Sequence, residues 1–474
     1  MTVVGIDLGT QSVKVAAVDE AGSVVASAAR PYAVSSPHPG WAESDPHAWL
    51  AAVTDAAREV VNGLPERPLA VGLSGQMHGV VLCDAAGQPL RPAITWADGR
   101  SGVQAARIGA ELGTRELARL GSAAFPGFAG PSLAWLAEHE PETLAQARWA
   151  LQAKDWLRLV LTGNVGTDPS DASGTLLYDV VDGRWSEAAM RACSVRPELL
   201  APVLASTDLQ GEITAADSSL AGLPIAVGGA DAACGIRGLG LTSGLGAIAL
   251  GTGAQITSML EDGPHPDETL RTHTFAATGA IGEGWYRLGA VQSGGLALER
   301  AIAWLGADTA EAQRALAAGI EPTDPLFWPF VAGERSPYLD ASLRAGWDGL
   351  SLATSREAIL RSVLEGMAYA VAAAYEAVVD SDAAPAQPIT LLGGGSRDPA
   401  YVQLLATALN ARLRPAEIGD ATVVGAARLA ATGMGRSIPP AGSRADAIVE
   451  PRADDVIAER QRRWRDGVEG SRQP

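Results

Sequence analysis

The sequence predicts an α/β protein built from two similar halves that face a cleft. Strand-like and helix-like segments alternate along its 474 residues, which is typical of α/β folds. A glycine turn after the first strand, Gly9-Thr10, returns about half a chain later as Gly251-Thr252. Because 47% of the residues are hydrophobic, the chain can bury cores for at least two domains. We predict one domain over residues 1–238 and a second, ending in a short helical tail, over residues 239–474.

The first element is a hairpin with a carboxylate beside its turn. Its strands are predicted over residues 2–6 and 12–18. Glycine at the turn lets backbone amides approach phosphate oxygens, and Thr10, Gln11 and Lys14 add donors or charge. Asp7 stands where strand meets turn, and a carboxylate there can hold a hydrated Mg²⁺. The pattern predicts a phosphate-binding turn, although a lone glycine hairpin is more often only structural.

Two further glycine turns support that interpretation. Gly251, Thr252 and Gly253 repeat the first turn, with Ala249 where the first copy has Asp7. The repeat indicates an internal duplication in which only the first copy kept its carboxylate. A third turn at residues 393–396, which includes Gly394, Gly395 and Ser396, follows an apolar strand and opens a helix, whose N-terminal amides favour a nucleotide. Strand ends of such halves meet at a cleft, where a nucleotide can be held from both sides.

The remaining long segments continue the α/β pattern. Apolar spacing predicts these elements: a helix over 49–61, a strand over 69–73, a helix through 133–137, a strand over 224–227, a helix over 356–379, a strand over 389–392, a helix over 399–410 and a charged helix over 454–465. We expect the boundary between the halves between residues 239 and 246, where Gly and Ser recur.

Composition excludes several classes of protein. The formal charge of −18, with no clusters of Lys and Arg, argues against a nucleic-acid surface. Three widely spaced cysteines without a CxxC pair predict neither a disulfide framework nor a zinc site. With no long uncharged apolar run and no signal-like start, we expect a cytoplasmic protein without a membrane partner.

Candidate site residues follow buried strands. Asp231 comes after two glycines at a strand end, where a carboxylate is more often a turn former or helix cap. The flanking glycines permit another molecule to approach closely, which favours a general base. A loop with Gln76, Met77 and His78 follows one strand, and Trp96 and Asp98 follow another strand-like segment; polar groups beside aromatic faces suit a sugar. His78 alone would more often be a satisfied loop histidine.

Taken together, the motifs resemble the FGGY family of carbohydrate kinases, within the actin-like ATPase superfamily, and most closely its xylulokinases. The resemblance runs collinearly from residue 3 to about residue 430. The segments that carry it are 5–10, 37–46, 75–79, 96–100, 154–159, 168–172, 228–231, 333–335, 364–366 and 393–395.

The resemblance implies a fold and a set of roles. The fold would be a two-domain actin-like ATPase, a ribonuclease H-like duplication, with the sugar on the first half and the nucleotide on the second. Asp231 would be the catalytic base, and Asp7 and Asp231 would hold Mg²⁺. Thr10 and Thr252 would belong to phosphate turns, and Gly394 and Gly395 to the adenosine site. The implied sugar-side residues are Gln76, Met77, His78, Trp96 and Asp98.

The implied reaction transfers the γ-phosphoryl group of MgATP to a terminal hydroxyl of a ketopentose, by default D-xylulose. Three positions depart from the family pattern: Ala97 and Ala232 replace Asn, and Ser132 replaces Lys. Another ketose, a polyol or a deoxy sugar is the alternative acceptor. From another class, a non-catalytic sugar-sensing relative or a chaperone-type ATPase is disfavoured, because Asp7 and Asp231 are retained and the tail is short. A homodimer is left open.

Overall fold

The structure is a computed structural model, and it describes residues 1–215, 218–380, 382–441, 443–445 and 447–471. The strands of the first half are β1 (Thr2–Leu8), β2 (Ser12–Asp19), β3 (Val24–Pro31), β4 (Glu43–Ser44), β5 (Val71–Gly75), β6 (Val81–Cys83), β7 (Ala93–Ile94), β8 (Trp149–Leu151), β9 (Tyr178–Asp179), β10 (Arg184–Trp185), β11 (Leu209–Glu212), β12 (Pro224–Ala226) and β13 (Gly229–Ala230). Its helices are α1 (Pro46–Asn62), α2 (Gly102–Arg119), α3 (Ala129–His139), α4 (Pro141–Gln146), α5 (Ala153–Thr162), α6 (Pro169–Ser173), α7 (Glu187–Ala192) and α8 (Asp231–Leu239).

The second half repeats this alternation. Its strands are β14 (Gly246–Leu250), β15 (Ala254–Met259), β16 (His273–Ala276), β17 (Trp285–Val291), β18 (Leu326–Trp328), β19 (Gly346–Asp348), β20 (Ile389–Gly393), β21 (Leu413–Ile418) and β22 (Ser443–Ala445). Its helices are α9 (Gly295–Leu305), α10 (Thr309–Ala317), α11 (Arg356–Asp380), α12 (Pro399–Leu409), α13 (Ala421–Gly433) and α14 (Asp455–Ser471). Short 3₁₀ turns occupy Pro197–Leu199 and Gly394–Arg397.

Each half is organised around one mixed sheet with the same core. Within the described residues the first sheet runs β11-β12-β5-β1-β2-β3, with β13 also pairing with β5, and the second runs β16-β17-β15-β14-β20-β21-β22. In the first, β1 is antiparallel to β2 and parallel to β5; in the second, β14 is antiparallel to β15 and parallel to β20. This shared topology confirms the predicted α/β duplication.

The long predicted elements lie where periodicity indicates, with shifted ends. The strand predicted over 69–73 is β5 and ends two residues later, because Ser74 and Gly75 pair with Asp7 and Leu8 of β1. Helix α11 is long and apolar enough to cross a membrane, but 89% of its apolar window is buried inside the protein. It is therefore the central core helix of the second half.

The predicted charged tail helix, α14, docks firmly against the second half. Trp464 is fully buried, and its indole nitrogen donates to the Phe327 carbonyl oxygen at 2.7 Å. Arg460 is also buried and donates to Glu365 Oε1 at 2.6 Å and to Glu365 Oε2 at 2.7 Å. These contacts explain why a helix rich in charge packs as part of the domain.

Helix α13 follows the second half in sequence yet packs on the first sheet. Apolar residues of α13 share a core cluster with residues of β1, β2 and α8. The approach is close: a Cβ at Gly72 would lie 1.8 Å from the Ala426 carbonyl oxygen, and a Cβ at Gly425 would lie 1.8 Å from that of Cys234. The division into residues 1–238 and 239–474 stays a prediction. The position of α13 in the sequence does not indicate which of the two sheets it packs on.

We expect Gly425→Ala to destabilise the protein, because the added methyl group would overlap the backbone of α8. Overpacking of this kind costs ~1–3 kcal/mol, which outweighs the helix-propensity gain. Chemical denaturation measures the loss. The control is Gly102→Ala in α2, where no atom would lie within 4 Å of the new Cβ. Equal stability of the two variants would contradict the close α8–α13 contact.

Candidate active site

The turn of the first hairpin is fixed by its own backbone and by two aromatic side chains. The Gly9 amide donates to the Ser12 carbonyl oxygen at 3.1 Å, and the Tyr32 hydroxyl donates to the Gly9 carbonyl oxygen. The Trp96 indole nitrogen donates to Thr10 Oγ1 at 2.8 Å. The predicted sugar-side tryptophan therefore contacts the predicted phosphate-turn threonine directly.

The turn of the second hairpin is packed between β17 and the start of α9. The Gly251 amide donates to the Gly253 carbonyl oxygen at 2.8 Å, and the Gly295 amide donates to that of Gly251 at 2.9 Å. A Cβ at Gly253 would lie 2.4 Å from the Val291 carbonyl oxygen. Glycine is therefore required for this close approach.

Both turns line one cavity of about 530 Å³. The first half contributes Thr10, Met77, His78, Trp96, Phe128, Asp231 and Ala232, and the second half contributes Gly251, Thr252, Gly253, Gln255, His273, Phe275, Gln292 and Arg335, among others. The structure thus brings together predicted residues from the phosphate turns, the sugar side and the catalytic position. A cavity of this size, mostly apolar with a few polar groups, suits a small ligand.

Two perturbed carboxyl groups belong to this region. Burial and, after it, the charge of the neighbouring Asp7 together raise the pKa of Asp231 to about 7. Burial likewise raises the pKa of Asp7 to about 6. Among the described residues, Asp7 Oδ1 is buried without a hydrogen-bond partner. A carboxyl group that titrates near neutral pH suits proton transfer, and an unpartnered acidic oxygen fits a divalent cation.

The backbone just before Asp231 is held by a chain of buried polar contacts. The Ala230 amide donates to Ser170 Oγ at 2.9 Å, and the Ser170 hydroxyl donates to Asp168 Oδ2 at 2.6 Å. Lys154 Nζ lies 3.1 Å from Asp168 Oδ1. Helix α8 therefore begins at a position fixed by α5 and α6.

Lys154 is the centre of a fully buried ion cluster. Its Nζ lies 2.6 Å from Asp155 Oδ1 and 3.1 Å from Asp171 Oδ2, and Arg158 lies 3.3 Å from Asp155 Oδ1. Burial opposes the charge of Lys154, but its surrounding carboxylates raise its pKa above the ordinary value. Burial raises the pKa of Asp171 well above its usual range. Each charge in this cluster depends on the others for compensation.

Histidine and phenylalanine rings form the side of the cavity predicted to hold sugar. His78 stacks on Phe128 with ring centroids 4.1 Å apart, and its Nδ1 lies 2.7 Å from the Gly174 carbonyl oxygen. Burial lowers the pKa of His78 to about 4, and that of His273 to about 3. Both imidazoles are therefore neutral at physiological pH and can exchange hydrogen bonds with hydroxyl groups.

Some predicted residues lie outside the cavity lining. Asp98 Oδ2 accepts from the Ala42 amide at 2.6 Å, and Arg100 donates to Oδ1 at 2.8 Å and to Oδ2 at 2.7 Å. The prediction of sugar contact for Asp98 is therefore corrected: its buried carboxylate is occupied in a structural ion pair. Gln76 is buried outside the lining, and its side-chain amide has no partner among the described residues. Gln11 is exposed.

Lys14 and the third glycine turn also lie outside this lining. Lys14 pairs with Asp420 at the start of α13. Gly394 and Gly395 lie in the 3₁₀ turn after β20, where a Cβ at Gly395 would be 2.9 Å from the Leu250 side chain. Ser396 donates to the Gly393 carbonyl oxygen at 2.7 Å and lines a separate cavity of about 680 Å³. The third turn therefore adjoins the strand that leads into the second hairpin.

Several cavity residues had no predicted role. His273 and Phe275 lie on β16, whose short apolar pattern carries no site signal. Gln292 follows β17. Arg335 belongs to a segment, 333–335, that contributed to the family resemblance, so a role could have been sought there.

This fold and site define the class of protein. The model of the FGGY carbohydrate kinase N-terminal domain matches residues 2–238, and that of the C-terminal domain matches residues 246–434. The chain belongs to the FGGY family of carbohydrate kinases, which use ATP, and its fold is that of an actin-like ATPase.

Similar proteins include several xylulose kinases. The chain is 34% identical to the xylulose kinase of Escherichia coli over 436 residues, which cover 90% of this chain and 89% of that protein. A crystal structure of a xyloylose kinase from Brucella ovis superposes with a TM-score of 0.92 at 32% identity, covering 99% of both chains. A gluconate kinase from Lactobacillus acidophilus, at 21% identity and a TM-score of 0.90, covering 99% of this chain and 97% of that one, shares the fold.

We expect Lys154→Met to destabilise the protein by ~3–5 kcal/mol, because three buried carboxylates would lose their shared cation. The matched control is Lys14→Met, which removes the chain's other lysine from a partly exposed pair and should cost at most about 1 kcal/mol. Denaturant titration of both variants provides the comparison. A similar loss of unfolding free energy in both variants would mean that the buried cluster does not stabilise the first half.

Proposed function

We propose that the protein transfers the γ-phosphoryl group of MgATP to a terminal hydroxyl of a ketopentose, by default D-xylulose. The observation that carries this proposal is the shared cavity, which is lined by Asp231, by residues predicted for the sugar side and by both predicted phosphate turns. The similarity to xylulose kinases over about nine-tenths of the chain supports the ketopentose. We also propose a cytoplasmic location, where ATP is available.

Asp231 is the proposed catalytic base. As the terminal hydroxyl oxygen attacks the γ-phosphorus, its proton passes to the Asp231 carboxylate while the bond to the ADP oxygen breaks. Burial favours this role, because it raises the pKa of Asp231 to about 7. The contacts from Ser170 to the Ala230 amide would keep the carboxylate oriented toward the acceptor.

The glycine turns position the phosphates in this proposal. Backbone amides and hydroxyl groups of Thr10 and Thr252 would bind phosphate oxygens, while Gly394 and Gly395 would border the adenosine. We expect Asp7 and Asp231 to hold Mg²⁺ together. When it is bound, the cation neutralises phosphate charge. The unpartnered Asp7 Oδ1 fits this assignment.

The test is turnover with a panel of sugars in an assay that couples ADP formation to an optical signal. We expect ketopentose-dependent ADP release with MgATP, and Asp231→Asn should lower kcat by about 10²-fold or more. ADP affinity, measured by calorimetry without Mg²⁺, should change little, because Asp231 acts on the acceptor and would reach the nucleotide only through the metal. Turnover near wild type in the variant would rule out Asp231 as the base.

One observation favours a different acceptor within the same family. Ala232 lines the cavity beside Asp231, where a family member with Asn would offer a hydrogen-bonding side chain. A sugar hydroxyl facing Ala232 must bind water or another residue, or be absent from the true substrate. Ala97, the other such departure, is exposed and lies outside the lining. Other ketoses, polyols and deoxy sugars therefore belong in the panel.

We expect Ala232→Asn to raise kcat/KM for D-xylulose by about fivefold, the scale of one recovered hydrogen bond at ~1 kcal/mol. The wild-type protein should correspondingly show a raised KM for D-xylulose or prefer another sugar. Steady-state kinetics of both proteins on the same panel give the answer. A wild-type preference for D-xylulose over every other sugar, with a neutral or harmful substitution, would refute the role of Ala232.

A further inference from the structure

Arg335 presents a positive charge to the cavity from the second half of the chain. Its loop is fixed to the end of β17: Glu334 Oε1 accepts from the Gln292 amide at 2.6 Å and from the Arg335 amide at 2.8 Å. The Ser336 amide donates to the Ala290 carbonyl oxygen at 2.8 Å. The backbone that carries the guanidinium is therefore held in place before any ligand binds.

The guanidinium lies among rings that cannot neutralise it. Its central carbon is 5.9 Å from the centroid of the Trp96 ring and 5.7 Å from that of Phe125. His78 and His273 are neutral, and the charge of Arg335 contributes to their lowered pKa values. Across the described part of the chain, Arg335 forms no ion pair and its guanidinium donates no hydrogen bond, although the nearby charge of Glu334 acts on it through space. The Glu334 carboxylate is instead turned toward backbone amides.

The two charged residues of the cavity stand in different surroundings. The Phe125 ring, 5.7 Å from the central carbon of Arg335, is also 5.7 Å from the His273 ring, so the guanidinium belongs to the ring cluster, whereas Asp231 lies at the start of α8. Asp231 is the proposed proton acceptor, whereas the guanidinium of Arg335 donates hydrogen bonds and cannot accept them. A partly buried guanidinium needs a strong acceptor from its ligand to compensate the lost hydration.

The chemistry of a ketopentose supplies one acceptor of this kind. Its terminal C5 hydroxyl is the group that closes the furanose ring onto C2, so a molecule phosphorylated there must be bound in the open-chain form. That form carries a ketone at C2, whose oxygen accepts hydrogen bonds and cannot donate them. We propose that Arg335 donates to this C2 carbonyl oxygen and so selects open-chain ketoses over alditols. This inference rests on the proposed function and deepens it, making Arg335 a specificity-determining residue.

The experiment compares the wild-type protein with Arg335→Met, which keeps the length of the side chain and removes its donors. D-xylulose is set against xylitol and D-arabitol, the two alditols formed by reducing its carbonyl group. We expect kcat/KM for the ketose to fall about 10–100-fold, the scale of a charge-assisted hydrogen bond. Alditol kinetics, or competitive inhibition constants, should change less than about threefold because no carbonyl is present. Arg335→Lys should recover part of the ketose activity, because it keeps a charged donor.

Other outcomes would overturn the inference. Equal losses of kcat/KM for ketose and alditol would indicate a contact to the phosphoryl group or a disturbed fold. Unchanged ketose kinetics would show that Arg335 does not contact the substrate. If alditol binding is too weak to measure, the KM values of Arg335→Met for ketose and for ATP are compared with those of the wild-type protein. A raised KM for the ketose with an unchanged KM for ATP supports the inference, and a raised KM for ATP overturns it. A wild-type preference for an aldonate would indicate a carboxylate ligand and would also overturn it.

The same assay separates this inference from the proposed function. If the wild-type protein turns over no ketose with MgATP, the proposed function itself is wrong. If the wild-type protein turns over ketose and Arg335→Met keeps the same ratio of ketose to alditol kcat/KM, only the role proposed for Arg335 is wrong. Unfolding temperature and ADP affinity of each variant provide the folding control.

Discussion

A buried ammonium group, that of Lys154, is the constraint on which the first half of the protein depends. Asp155, Asp168 and Asp171 surround it without solvent, and such carboxylates are tolerated in the interior only while a cation compensates them. One of the three, Asp168, also accepts the Ser170 hydroxyl that holds the backbone at Ala230. Folding and site geometry therefore share one electrostatic arrangement: losing the cation would both destabilise the core and release the start of the helix that carries Asp231.

The duplication is symmetric in its strands and asymmetric in its chemistry. Both halves present a glycine turn to the cavity, but Asp7 faces Lys14 across the first hairpin, whereas Ala249 faces Gln255 across the second. Helix α13 adds another asymmetry, since it lies late in the chain but packs on the first sheet. Glycine positions where a Cβ would overlap backbone, such as Gly72 and Gly425, make that packing possible.

Local patterns in the sequence predicted much of this arrangement. Both hairpins and the long helix α11 carry their own periodicity, and Met77, Trp96 and Asp231 follow strands whose ends meet at one cavity. The parts not predicted depend on contacts between distant residues. The residues around Asp98 in the sequence are polar and indicate an exposed motif. Only the fold shows that Arg100 and the Ala42 amide occupy the Asp98 carboxylate. Likewise, nothing local distinguishes Lys154, buried among carboxylates, from a lysine on the surface.

Arg335 comes from one half of the chain, while the aromatic rings beneath it, Trp96 and Phe125, come from the other. A recognition surface assembled from both halves exists only while they are together. If the cleft opens, the guanidinium regains water and loses its aromatic neighbours, so an acceptor would meet a hydrated surface that discriminates little. If Arg335 selects the acceptor as proposed, selectivity is a property of the closed molecule, and a sugar enters the cleft before it is selected.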